Sequence, residues 1–211
     1  MSLEKNFERG HSKDYLYREF FKPALREIMP QHNVKTPYTA DYVAFVLSDF
    51  SVGRLKEIQD LVVRMSKQKN SKLPTKNLEQ FPLTYIEDLE RLAFSAGNAE
   101  KEINRLIGDY SLVMLGMFSG LFKKNRFRGI ARGFNKKIFL ERGSLNYNKA
   151  GNHQWKDMNS SEFYILSEKF ESIVYSINEC NKKHWHRWGD RFIADPLLKM
   201  AFEINYQRGI Q

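Results

Sequence analysis

Several things are scarce in this chain, and each scarcity excludes a class of protein. One cysteine, Cys180, cannot form an internal disulfide, so nothing points to an oxidising compartment. With 12 glycines and 6 prolines among 211 residues, collagen-like and linker-like chains are excluded. The longest stretch of low charge, Leu106 to Phe122, has 17 residues and carries Asp109, short of the roughly 20 needed to span a bilayer. It is expected to be a buried core helix, with no transmembrane segment elsewhere. The first residues, MSLEKNFERGHSKDYLYREFF, are too charged to hold the apolar region of a secretion signal. A cytoplasmic protein is therefore expected.

Short chemical motifs are missing as well. The chain has no phosphate-binding glycine loop, no dinucleotide fingerprint and no GxSxG, HExxH or CxxC. Its single Glu-x-x-His, Glu8 to His11, falls short of the two that a di-iron bundle needs to project carboxylates and imidazoles from adjacent turns. No cofactor and no metal is expected. The balance leans away from an enzyme without closing that question.

What is present is apolar, aromatic and helical in spacing. Hydrophobic residues make up 42% and aromatics 14% against 28% charged, so the chain can build a core and is not wholly disordered. Ser12 opens a segment through Tyr15, Phe20, Phe21, Leu25 and Ile28, with Pro23 expected to kink or break it. Thr36-Pro37 marks a helix start, because Pro fits the first helical position and Thr can cap. Val43, Val46, Leu47 and Phe50 then recur at helical rather than strand spacing. Ser51 opens a further amphipathic stretch to Met65, and residues 66–82 read as a loop punctuated by Pro74 and Pro82.

Thr84 and Glu87 form a capping-box pattern before a helix to Gly97, and the central helix runs from Ala99 to about Phe122. Gly143 and Gly151 bracket a piece expected to be turn-rich, holding Tyr147 and Trp155. Asn159 to Glu162 starts one long amphipathic helix through Phe163, Phe170, Ile177 and Cys180, and Asp195-Pro196 starts a last one. The expected architecture is all-α: an irregular single-domain bundle of six to nine helices over residues 1–211.

The segments IGDYSL at Ile107–Leu112, Gly116–Phe118, Tyr42–Ala44, RGSLNY at Arg142–Tyr147 and FYILSEKFE at Phe163–Glu171 together resemble an uncharacterised bacterial family of helical proteins. The resemblance covers roughly residues 36–182. Ser119 stands where that family carries proline, and Asn104 where it favours histidine. It implies a bacterial helical domain and carries no activity, cofactor or catalytic residue with it.

Charge gives the first candidate site. The formal net charge is +9, yet residues 1–100 contribute only +1 and residues 101–211 contribute +8. Lys123, Lys124, Arg126, Arg128, Arg132, Lys136 and Lys137 fall within fifteen residues that contain no acid. Clustered Lys and Arg bind phosphates non-specifically, and Arg187, in the aromatic cluster KKHWHRW, could extend such a surface. The plain alternative is a solvated helix face whose Phe127, Ile130, Phe134 and Ile138 fill the core. A basic amphipathic helix lying on a membrane surface is another reading, and a protein partner or a homodimer stays open.

The second candidate is Asp109 with Tyr110 and Tyr147. A carboxylate inside an apolar helix needs a cation or a hydroxyl donor, and Arg105 or Tyr147 could supply one. The leading expectation is a non-enzymatic binding or scaffolding module with a basic surface for nucleic acid or another polyanion. The alternative is an enzyme or small-ligand binder with an inter-helix pocket near Asp109 and Tyr147.

Overall fold

A computed structural model describes residues 16–51, 84–95, 100–117, 119, 136–156 and 158–188. Expectations for the helix after Ser51, the loop at 66–82, most of the basic segment and the helix after Asp195 lie outside these residues. Within them the chain is helical, with no strand. The order is a π-helical turn Leu16–Phe21, α1 Lys22–Ile28, a 3-10 turn Met29–His32, α2 Pro37–Ser51, α3 Thr84–Ser95, α4 Glu100–Met117, α5 Lys136–Gly151, α6 Ser160–Glu168 and α7 Phe170–Trp188.

Local chemistry explains the helix ends. Pro23 sits in the first turn of α1, where the π-helical turn ending at Phe21 gives way to the α-helix, a break at the place expected for it. Asn33 adopts the left-handed conformation at φ 61° and reverses the chain before α2, a geometry that Asn tolerates better than most residues. At Thr36 the carbonyl accepts the N–H of Ala40, while the hydroxyl lies 2.8 Å from that of Thr39. Asn159 caps α6 by accepting the N–H of Ser161 at 3.1 Å.

Helix α4 is the axis. Every residue from Ile103 to Met117 except Arg105 is buried on it, because α2, α3, α5 and α7 all pack against it. Such close packing needs small residues. A Cβ on Gly108 would come within 2.6 Å of the Tyr147 ring, and one on Gly116 within 2.7 Å of Ile177. Gly116 therefore marks a tight crossing of α4 and α7.

The same argument corrects the expected turn between Gly143 and Gly151. Both glycines, and Tyr147 between them, lie inside the continuous helix α5. A Cβ at Gly143 would meet Phe170 at 2.3 Å and Ser111 at 2.8 Å, so the glycine makes room for neighbours and breaks nothing. Trp155 alone of that group sits in the turn, between α5 and α6. The long helix expected from Asn159 to Cys180 is also two helices. Lys169 departs from helical geometry at φ −96° and ψ 13°, and Phe170 re-enters with its ring buried against the gap at Gly143.

Candidate functional site

Among the described residues the most unusual group is the Asp109 carboxylate. It lies on α4, 7% exposed, where an ionised group without partners would be costly. Oδ1 accepts the hydroxyl of Tyr42 at 2.6 Å and that of Tyr147 at 2.7 Å. Those lengths are typical of hydroxyls donating to a charged oxygen. Arg105 places Nε 3.9 Å from Oδ2, an ion pair rather than a hydrogen bond. Of the two partners expected from sequence, Tyr147 is a direct donor and Arg105 an electrostatic neighbour.

Both tyrosines are held in the donating form. Burial, followed by the Asp109 charge, pushes the Tyr42 and Tyr147 phenols well above their ordinary range. Their rings pack edge-on with centroids 6.3 Å apart, and Phe163 lies near both, at 6.0 Å from Tyr42 and 6.2 Å from Tyr147. Elements from three parts of the chain thus meet at one oxygen: α2, α4 and α5.

Tyr110 does not join them. It is fully buried and faces away, against Phe50 and Phe139 with centroids 6.5 and 6.4 Å distant. One residue along a helix turns the side chain by about 100°, so neighbours in sequence serve different faces.

A cleft of about 810 Å³ opens on the outer side of Tyr42. Its walls carry Tyr17, Tyr38, Tyr42, Phe45 and Trp155, with Met158 beside them. Polar groups on the lining are Asp41, Lys156, Asn159 and Glu162. Tyr38 and Phe45, on the outer face of α2, remain 76% and 46% exposed.

The lining is held in place from behind. Trp155 donates its indole N–H to the Ala150 carbonyl at 2.9 Å and packs on Phe163 at 4.8 Å. Lys101 and Arg105, successive turns of α4, reach the indole from outside the lining, 5.2 and 5.3 Å from its centroid. Asp41 takes a two-pronged bond from Arg26, both prongs 2.7 Å, and an ion pair from Lys22 at 3.1 Å. Partial burial pulls the Asp41 carboxyl up, and the Arg26 and Lys22 hydrogen bonds more than reverse it, holding it below the usual range. Glu162 accepts from Thr39 at 3.3 Å instead of turning back to its own helix start.

Tyr42 was not singled out from sequence, where it was hidden inside an apolar helix. A signal existed: Tyr38, Asp41, Tyr42 and Phe45 form a second stripe on α2, opposite the Val43, Val46, Leu47 and Phe50 face.

For the basic segment, Lys136 and Lys137 are described, both exposed at the start of α5. Lys136 lies over the Tyr175 ring at 5.3 Å, and Lys137 pairs with Glu141 at 3.7 Å. Lys123, Lys124, Arg126, Arg128 and Arg132 fall outside the described residues, as does the Arg187 side chain. Arg142, at the far end of that stretch, is paired with Glu90 across to α3. Cys180 is fully buried, its thiol pushed up to about 12 by burial. Among the described residues no group of three His, Cys, Asp or Glu side chains is placed to hold a metal ion.

Comparison of the chain with family models, with curated proteins and with solved structures gave no match. No described helix is long and apolar enough to cross a membrane.

Proposed function

We propose that this chain is a small-ligand-binding helical protein whose site is the cleft between α2 and the α5–α6 turn. One observation carries the reading. A recess of about 810 Å³ has five aromatic walls, of which Tyr38 stands largely in water and Phe45 is almost half exposed. Pockets of a few hundred to about a thousand Å³ with mostly apolar walls and a few convergent polar groups are the usual form of a small-molecule site. Exposed aromatic surface beside such a recess is surface that a ligand would cover.

Asp109 acts here as a positioning residue. It fixes Tyr42 at the back of the cleft and does not line the cleft itself. Both tyrosines keep their protons, so they are poor bases, and the arrangement favours binding over proton transfer. Saturation-transfer NMR with a mixture of small aromatic and aliphatic fragments tests this. Signal is expected from the wild type and its loss from Trp155→Ala; equal signal from both would place binding elsewhere.

A second reading rests on charge. Seven cations and no acid between Lys123 and Lys137 favour a polyanion such as nucleic acid meeting that segment. Binding to single- or double-stranded nucleic acid at about 50 mM salt, where phosphate contacts are strong, tests it; no binding there removes it.

A further inference from the structure

We infer that the ligand of the Tyr42–Trp155 cleft is an organic ammonium ion, a primary or secondary amine in its protonated form carrying an apolar or aromatic body. This rests on the cleft being a ligand site and adds the chemistry that it selects. Three properties of the lining converge on a cation that donates.

The first is the aromatic wall. Ring faces are negative, and cations are attracted to them within about 6 Å. The second is hydrogen-bond polarity. The Tyr42 hydroxyl has one proton and gives it to Asp109, so towards a ligand Tyr42 offers its ring and oxygen lone pairs. Thr39 likewise gives its hydroxyl proton to Glu162. Of these groups, the Tyr42 oxygen and the Glu162 carboxylate are left to accept from a ligand, beside the donors Lys156 and Asn159 on the same lining.

The third is charge. The lining holds two carboxylates, Asp41 and Glu162, against one ammonium, Lys156. Asp41 is already answered by Arg26 and Lys22, whereas Glu162 receives a neutral hydroxyl. Glu162 is therefore the carboxylate that a ligand's N–H groups would meet, with Trp155 and Tyr42 enclosing the apolar body. Lys101 and Arg105, outside the lining, already lie over the Trp155 indole, so that ring is left to the ligand's apolar body and its charge to Glu162 and the Tyr42 ring.

Calorimetric titration of the full chain with phenethylammonium, 2-phenylethanol and phenylacetate separates the elements of this inference. The three share a ring and differ in charge. The ammonium is expected to bind roughly tenfold more tightly than the alcohol, with the acetate weakest. Glu162→Gln, which keeps an acceptor for Thr39, should remove most of that preference and leave the alcohol within about twofold of its wild-type affinity. Far-UV dichroism and melting of the variant check that the fold is kept. Equal affinity for ammonium and alcohol, a preference for the acetate, or an unchanged preference in Glu162→Gln overturns the cationic ligand and leaves the cleft as a site. Binding of none of the three overturns the cationic ligand, and together with a silent fragment screen it overturns the cleft as well.

Discussion

Two aspartates flank the same tyrosine and are treated in opposite ways. Asp41, next to Tyr42 on α2, is partly in water and is met by full charges, the Arg26 guanidinium and the Lys22 ammonium. Asp109, behind Tyr42, is largely out of water and is met by two neutral hydroxyls, with the Arg105 guanidinium held at 3.9 Å. The difference follows from what each site can solvate. Near the surface an ion pair is loosely valued and easily replaced by water. In the interior, desolvating two charges is expensive, and hydroxyls that stay protonated stabilise a carboxylate without bringing a second ion inside. The exposed pair can be lost with little consequence. The buried triad cannot.

Breaking the buried side should have the largest effect. Asp109→Asn keeps an oxygen for the two hydroxyls but removes the charge that strengthens both bonds and turns an amide N–H group towards Arg105, at a cost of about 3 kcal/mol in urea unfolding. Alkali should attack the same triad. Because the folded pKa values of Tyr42 and Tyr147 are raised, their contribution is complete below the unfolded value near pH ~10 and falls as pH climbs from there towards the folded values. Stability should then drop by about 1.4 kcal/mol per pH unit for each tyrosine, and Tyr147→Phe should roughly halve that alkaline slope in melts across this range. Phenolate absorbance should show both residues ionising with unfolding and not before it.

At neutral pH, Tyr147→Phe keeps the ring packing and removes one donor, costing about 2 kcal/mol, and Tyr42→Phe, half-buried, about 1 kcal/mol. Asp41→Asn should come last, within about 0.5 kcal/mol. Its folded pKa is depressed, so even that contribution is present above pH ~4 and fades as pH falls through the folded value. If the two aspartate variants lost equal stability, the contrast between water-side and interior pairing would fail.

The helices were legible because their apolar residues repeat at 3.6, and the need of Asp109 for partners was legible because a charge inside IGDYSL is anomalous. Glycine misled. At Gly143 and Gly151 it serves a close approach by Phe170 of α7 and Tyr164 of α6, which depends on helices further along the chain and leaves no local trace. Tyr42 was missed for the same kind of reason. Its role is set by α4, whose Asp109 lies 67 residues further on, whereas its own neighbourhood is an ordinary apolar helix. Trp155 was noticed as an aromatic in a turn, but its use as a wall depends on the indole being held by Ala150 and Phe163.

The most direct test is the indole N–H resonance of Trp155 in a two-dimensional nitrogen–proton spectrum, assigned by Trp155→Phe against the other two tryptophans, Trp185 and Trp188. During titration with phenethylammonium the Trp155 signal is predicted to move saturably while the other two stay put. A Trp155 signal that stays still while ligand binds, or that moves no more than Trp185 and Trp188, would contradict the cleft as the site.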